Sequence, residues 1–133
     1  MNRITVVYLA GPYTGSSYME IERHIRVAEE HAIALWTAGF GVFCPHLNSS
    51  HFEVKACVPE RNYKEFDLWM LRSCDALLAL PGHENSVGAT TELLEATKLE
   101  IPVYLTLEEL LAQETPVIDE GEHATALKMP LAE

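Results

Sequence analysis

With 133 residues the chain has the size of one domain, long enough to take about two-thirds of its unfolded surface out of water. Twenty acidic residues against nine basic ones give a net charge of −11, which repels a phosphate backbone and argues against nucleic-acid polymers as partners, while a small anion held by backbone amides stays open. No apolar run of about 18 residues and no secretion leader is visible, and three cysteines without a CxxC pair form no disulfide framework, so no membrane partner and a reduced, cytoplasmic protein are expected.

The apolar run Ile4–Ala10 reads as a first strand that breaks into Gly11-Pro12-Tyr13-Thr14-Gly15-Ser16-Ser17. Ile21, Ile25, Ala28, Ala32 and Leu35 then recur at spacings of four and three, with charges between them, which predicts an amphipathic helix ending near Ala38-Gly39. Gly41–Cys44 reads as a second strand closed by Pro45. Residues 45–59 show little periodicity and are expected to form a loop, of a length that is usually functional. Tyr63, Phe66, Met70 and Leu71 predict a helix over Glu60–Ser73, and Trp36 and Trp69 are expected in the core.

The strand Asp75–Leu80 stops at Pro81-Gly82 and passes through a Ser/Gly loop into a helix from Ser86 to about Leu99. A fourth strand over Ile101–Thr106 and a short helix over Leu107–Gln113 follow. Residues 114–133 are acidic and unpatterned, a tail or a subunit-packing arm beyond a 1–113 domain. Alternating strands and helices specify an α/β, single-domain, Rossmann-like or flavodoxin-like three-layer sandwich, with a mainly parallel sheet of four to five strands. Its strand-to-helix loops open toward one crevice at the carboxyl ends of the strands.

The loop after strand one lacks GxxxxGK[ST] and GxGxxG spacing, so neither Mg-ATP nor NAD is supported; it is either a tight turn or an anion cradle. Glu92 lies early in its helix, where free amides and the dipole favour an ionised carboxylate suited to nucleophilic attack. Asp67 would complete a carboxylate pair for glycosidic-bond chemistry, and Asp75 is expected to be structural. Cys44, His46, His51 and Cys57 match no common zinc spacing, and no metal is expected. His46 is better placed to contact a ligand.

Val7-Tyr8-Leu9-Ala10-Gly11-Pro12, Asp67 eight residues before Asp75-Ala-Leu-Leu-Ala, and Ser86-x-Gly88-x-x-x-Glu92 together resemble the nucleoside 2-deoxyribosyltransferase superfamily over about residues 4–105. The resemblance implies that Glu92 attacks the anomeric carbon, Tyr8 orients it and Asp67 assists proton transfer to the base, without a cofactor. Family members of the transferase branch usually carry aspartate where this chain has Ser86, and the nucleotide N-hydrolases carry serine, so a 2′-deoxynucleoside 5′-monophosphate is the expected substrate and hydrolysis the expected reaction. Base exchange on a deoxynucleoside and a non-catalytic nucleotide sensor are the alternatives. Gly11, Pro12, Tyr13, Gly15, Ser16, Ser17, His46, Asn48, Ser86 and Gly88 are the expected substrate-binding residues. A homo-oligomer is expected.

Overall fold

The computed structural model describes residues 3–55 and 58–116. Four strands, β1 (Val6–Ala10), β2 (Gly41–Phe43), β3 (Ala76–Ala79) and β4 (Val103–Tyr104), form one sheet in the order β2-β1-β3-β4, and every pairing is parallel. Helices α1 (Tyr18–Thr37), α4 (Glu60–Leu71), α5 (Val87–Lys98) and α6 (Leu107–Gln113) connect or follow them. The segment expected as a loop contains two single-turn helices, α2 (Pro45–Asn48) and α3 (Phe52–Lys55). Proline at the first position of α2 presets its φ and needs no amide partner, and four residues are too few to show a periodicity.

Side-chain alternation builds three layers. Val7, Leu9, Leu78 and Leu80 face one side of the sheet, where they pack with Ala28, Ala32 and Leu35 of α1 and Leu110 of α6. Tyr8, Ala10, Leu77 and Ala79 face the other, against Leu71 of α4 and Ala96 of α5. Of the five positions that the spacing selects, α1 buries Ile25, Ala28, Ala32 and Leu35 and leaves Ile21 half-buried, and Gly39, at φ 99°, ends that helix just beyond its C-cap, where a side chain would be strained.

Trp36 and Trp69 are not in the core: they are 59% and 57% exposed. Each lies on the outer side of its helix, because the smaller Ala32, Leu35 and Leu71 fill the faces toward the sheet. Residues 114–116, the start of the expected tail, turn back on the body: the Thr5 amide donates to the Pro116 carbonyl at 2.9 Å, and the Tyr104 hydroxyl to Glu114 at 2.5 Å. Residues 117–133 lie outside the described residues. No helix among the described residues is long and apolar enough to cross a membrane.

β1 sends its chain toward β2, and β3 sends its chain toward β4, so their connections diverge. Between their carboxyl ends lies the switch point at which sheets of this kind hold ligands.

Candidate active site

Tyr8 is fully buried within β1, and its hydroxyl donates to Glu92 Oε2 at 2.6 Å, joining the first strand to the second turn of α5. Burial pushes the Glu92 carboxyl up to about 7; the Tyr8 hydrogen bond opposes this, the charge of Asp67 adds to it, and Lys64 pulls it down. The sequence context predicts a permanently ionised Glu92, and the structure does not bear this out: the residue lies in the second turn of α5, past the reach of the dipole, and burial outweighs the Tyr8 hydrogen bond and Lys64. Burial and the neighbouring Glu92 charge raise the Tyr8 phenol, which stays a donor throughout the physiological range.

Asp67 is 6% exposed on α4, and its Oδ1 has no hydrogen-bond partner. Burial lifts it to about 6, against the pull of Lys64. A carboxyl with an idle oxygen, able to hold a proton near neutrality, is equipped for proton transfer. Asp75 stands apart: its Oδ2 accepts the Val6 amide at 2.8 Å and it pairs with Arg3, so its work is to seat the start of β1.

The expected substrate-binding residues separate into groups. Gly11 ends β1 so close to β3 that a Cβ there would lie 2.6 Å from Leu80 Cβ. The Ser16 amide and hydroxyl both donate to Glu20 Oε1, at 2.5 and 3.0 Å, while Ser17 Oγ caps α1 by accepting the Glu20 amide at 3.1 Å. A Cβ on Gly15 would meet Glu20 as well, at 2.6 Å. The carboxylate of Glu20, held ionised by the Ser16 amide, thus occupies the donors that a cradle would offer an anion.

Ser86 is the N-cap of α5, its Oγ accepting the Ala89 amide at 3.1 Å. Gly88 faces open space, since a Cβ there would meet nothing nearer than Ser86 Oγ at 4.0 Å. His46 is buried and its Nε2 bonds the Pro12 carbonyl at 2.7 Å. Burial lowers its pKa, so it is neutral. Tyr13 gives its hydroxyl proton to Glu53, and its pKa is raised to about 12, chiefly by burial.

Asn48 is exposed and lines a groove of about 280 Å³ with Trp36, Val42, Phe43 and Leu47, on the β2 edge; none of Tyr8, Asp67 and Glu92 borders it. Among the described residues no three His, Cys, Asp or Glu side chains gather as metal ligands, and Cys57 lies outside them. Two residues the sequence did not single out, Lys64 and Glu20, act on the site; an i to i+3 capping pattern, Ser17-x-x-Glu20, was the signal for the second.

Solved structures of three proteins share this fold. A 2-deoxyribosyltransferase from Bacillus psychrosaccharolyticus is 25% identical, with a TM-score of 0.53 over 74% of this chain and 69% of that one. A 2-deoxyribosyltransferase from Leishmania mexicana is 18% identical, with a TM-score of 0.52 over 74% of this chain and 61% of its own. A conserved protein from Enterococcus faecalis is 21% identical, with a TM-score of 0.54 over 94% of this chain and 75% of its own. No curated protein sequence matches the chain. Residues 5–105, the stretch that holds Tyr8, Asp67 and Glu92, match the family described as a domain of unknown function (DUF4406), and the chain belongs to that family, with the nucleoside 2-deoxyribosyltransferase fold.

Proposed function

We propose that the chain cleaves the N-glycosidic bond of a 2′-deoxynucleoside 5′-monophosphate by hydrolysis. One observation carries the reading: the Tyr8 hydroxyl holds Glu92 at 2.6 Å while Asp67, buried beside them, keeps an oxygen with no partner. The 25% identity to a 2-deoxyribosyltransferase supports the broader class of glycosyl transfer.

In the proposed reaction the Glu92 carboxylate attacks the anomeric carbon and the pair of the N-glycosidic bond leaves with the base. Asp67 gives its proton to a base nitrogen. Water then attacks the same carbon, returns a proton to Asp67 and releases Glu92 as carboxylate. Tyr8 ties down one Glu92 oxygen and so leaves the other to attack. No cofactor is needed, because both carboxyl groups titrate near neutrality in this environment.

A serine hydroxyl at the start of α5 and the open space over Gly88 favour a 5′-phosphate there. Glu20, in the first turn of α1 and bonded to Ser16 of the β1–α1 loop, favours the second reading, exchange of bases on a deoxynucleoside with an uncharged 5′-hydroxyl, because a carboxylate on those donors repels phosphate. Chromatography of incubations with each deoxynucleoside and its 5′-monophosphate, with and without a second free base, separates them. Free base plus deoxyribose 5-phosphate is the expected product; a new nucleoside formed from the added base would replace hydrolysis by exchange, and no turnover of any member would overturn the enzymatic reading in favour of a sensor.

A further inference from the structure

Three histidines converge on the dipeptide Pro12-Tyr13. His46 Nε2 donates to the Pro12 carbonyl at 2.7 Å, and His24 Nδ1 to the Tyr13 carbonyl at 3.0 Å, carbonyls being acceptors only. The backbone amide of His51 donates to the Tyr13 hydroxyl at 2.7 Å, and that hydroxyl donates to Glu53, 2.9 and 3.1 Å from its two oxygens. The Tyr13 ring meets His46 edge-on, with centroids 5.4 Å apart.

His46, His51 and Glu53 all belong to the segment Pro45–Lys55, which makes contact on both sides of the sheet. His51 Nε2 pairs with Glu22 of α1 at 2.9 Å and its ring stacks on Tyr18 at 4.5 Å, while Phe52 lies edge-on to Tyr63 of α4 at 6.4 Å. Helices α1 and α4 pack on opposite faces. A segment touching both passes over the carboxyl end of the sheet, where the crevice opens.

His51 is held at φ 62°, a left-handed conformation that a side chain disfavours, and its buried Nδ1 has no partner. Both features belong to a segment held in place by its surroundings, and Tyr13 is the residue that takes the His51 amide.

We propose that Tyr13 is a positioning residue which pins Pro45–Lys55 as a strap across the crevice, and that substrate enters when its hydroxyl lets go of His51 and Glu53. The consequence for substrate rests on the proposed function; the pinning does not. Hydrogen exchange read by mass spectrometry on the full chain tests the pinning in Tyr13→Phe and in Glu53→Ala, the second being an exposed change that leaves the fold alone. Losing the Tyr13 hydroxyl is expected to speed exchange of residues 47–55 by about tenfold, and losing Glu53 by less, with the amides of β1 and β3 unchanged. In Glu53→Ala, which leaves the Tyr13 side chain in place, KM for the turned-over deoxynucleotide shifts about fivefold or more while kcat stays within about twofold.

Unchanged exchange over residues 47–55 overturns the proposal. Acceleration that extends to β1 and β3 overturns it too, since it marks general destabilisation. In Tyr13→Phe a fall in kcat at constant KM would make Tyr13 part of the chemistry instead. A wild-type protein that turns nothing over removes the proposed function, and the exchange comparison still decides the strap.

Discussion

The phenol of Tyr8 and the carboxylate of Glu92, 84 residues apart in sequence, meet at 2.6 Å across the gap between β1 and α5. Two elements have to dock in one register for this bond to exist, since Tyr8 pairs with Leu77 of β3, and β3 leads into α5. The bond gives Glu92 a fixed direction and partly offsets the burial that favours its protonated form.

Replacing Glu92 by glutamine keeps the shape and an acceptor for Tyr8 but removes the nucleophile. Turnover is expected to fall by about three orders of magnitude or more, while Glu84→Gln in the exposed turn before α5 changes it by less than about twofold. Steady-state rates on the best deoxynucleotide check this. A Glu92→Gln protein keeping above about a tenth of wild-type turnover, a loss under about 1.4 kcal/mol, would sink the covalent mechanism.

The same substitution has a signature in stability. Glu92 has a folded pKa of about 7, above its ordinary value of 4.5, so between those values the unfolded chain binds fewer protons than the folded one. Stability from this group is full below about pH 4.5 and declines as pH rises toward 7. Glu92→Gln removes the decline, and denaturation midpoints should show the variant gaining on wild type by about 2 kcal/mol from pH 5 to 8. A constant difference across that range would mean that burial does not shift Glu92.

Asp67 at about 6 and Glu92 at about 7 set the rate profile. The reaction needs Glu92 ionised and Asp67 protonated, a combination that peaks between those values and there describes roughly a twentieth of molecules. A bell-shaped kcat/KM profile, which reports the ligand-free protein, is expected with its maximum near pH 6.5. In Asp67→Asn kcat drops about a hundredfold or more and the descending limb disappears. A descending limb retained in that variant would assign the proton donor elsewhere.

Tyr8→Phe takes away the donor that favours ionised Glu92. Because the pKa of Glu92 already lies above that of Asp67, raising it further lowers the maximum and moves the descending limb of the profile to higher pH, and the rate near pH 6.5 falls about tenfold. The fold loses about 1–2 kcal/mol, the worth of one buried hydrogen bond to a carboxyl. An unmoved limb would show that Tyr8 acts only in packing.

Two glycines of the crevice should behave oppositely on substitution by alanine. At Gly11 the new Cβ would press on Leu80 Cβ at 2.6 Å, at a cost of about 1–3 kcal/mol in thermal or urea unfolding. At Gly88 it enters open space within α5 and raises helix propensity by up to about 1 kcal/mol, so stability holds or increases while KM for a ligand seated there rises. Equal stability losses at the two positions would contradict the packing described.

What the sequence disclosed was periodic or chemical. Short apolar runs closed by Gly11 and by Pro81-Gly82 marked β1 and β3 as strands, and the apolar spacing of α1 named the four residues that it buries together with the half-buried Ile21. Tyr8, Asp67 and Glu92 were legible as a group through family resemblance, although nothing local says that they meet. Desolvation was not legible: the same Glu92 reads as charged from its helix position and as half-protonated once its burial is known. Residues 45–59 hid α2 and α3 because single turns held by distant partners such as Tyr13 leave no repeat. Trp36 and Trp69 misled, since an aromatic side chain on a helix does not say which way that helix turns.

The bond from Thr5 to the Pro116 carbonyl lies at the amino end of β1, at the pole of the sheet opposite Tyr8 and Glu92. The two strands of chain that meet there can be joined without crossing the crevice, and Glu100, exposed and at φ 60° in the turn before β4, marks a second break point on the same pole. A circular permutant that omits residues 1–4 and 117–133, joins 116 to 5 through a short linker and opens between Leu99 and Glu100 keeps every strand neighbour of β2-β1-β3-β4. Its new ends stand where attached domains or a solid support leave the reactive face turned outward.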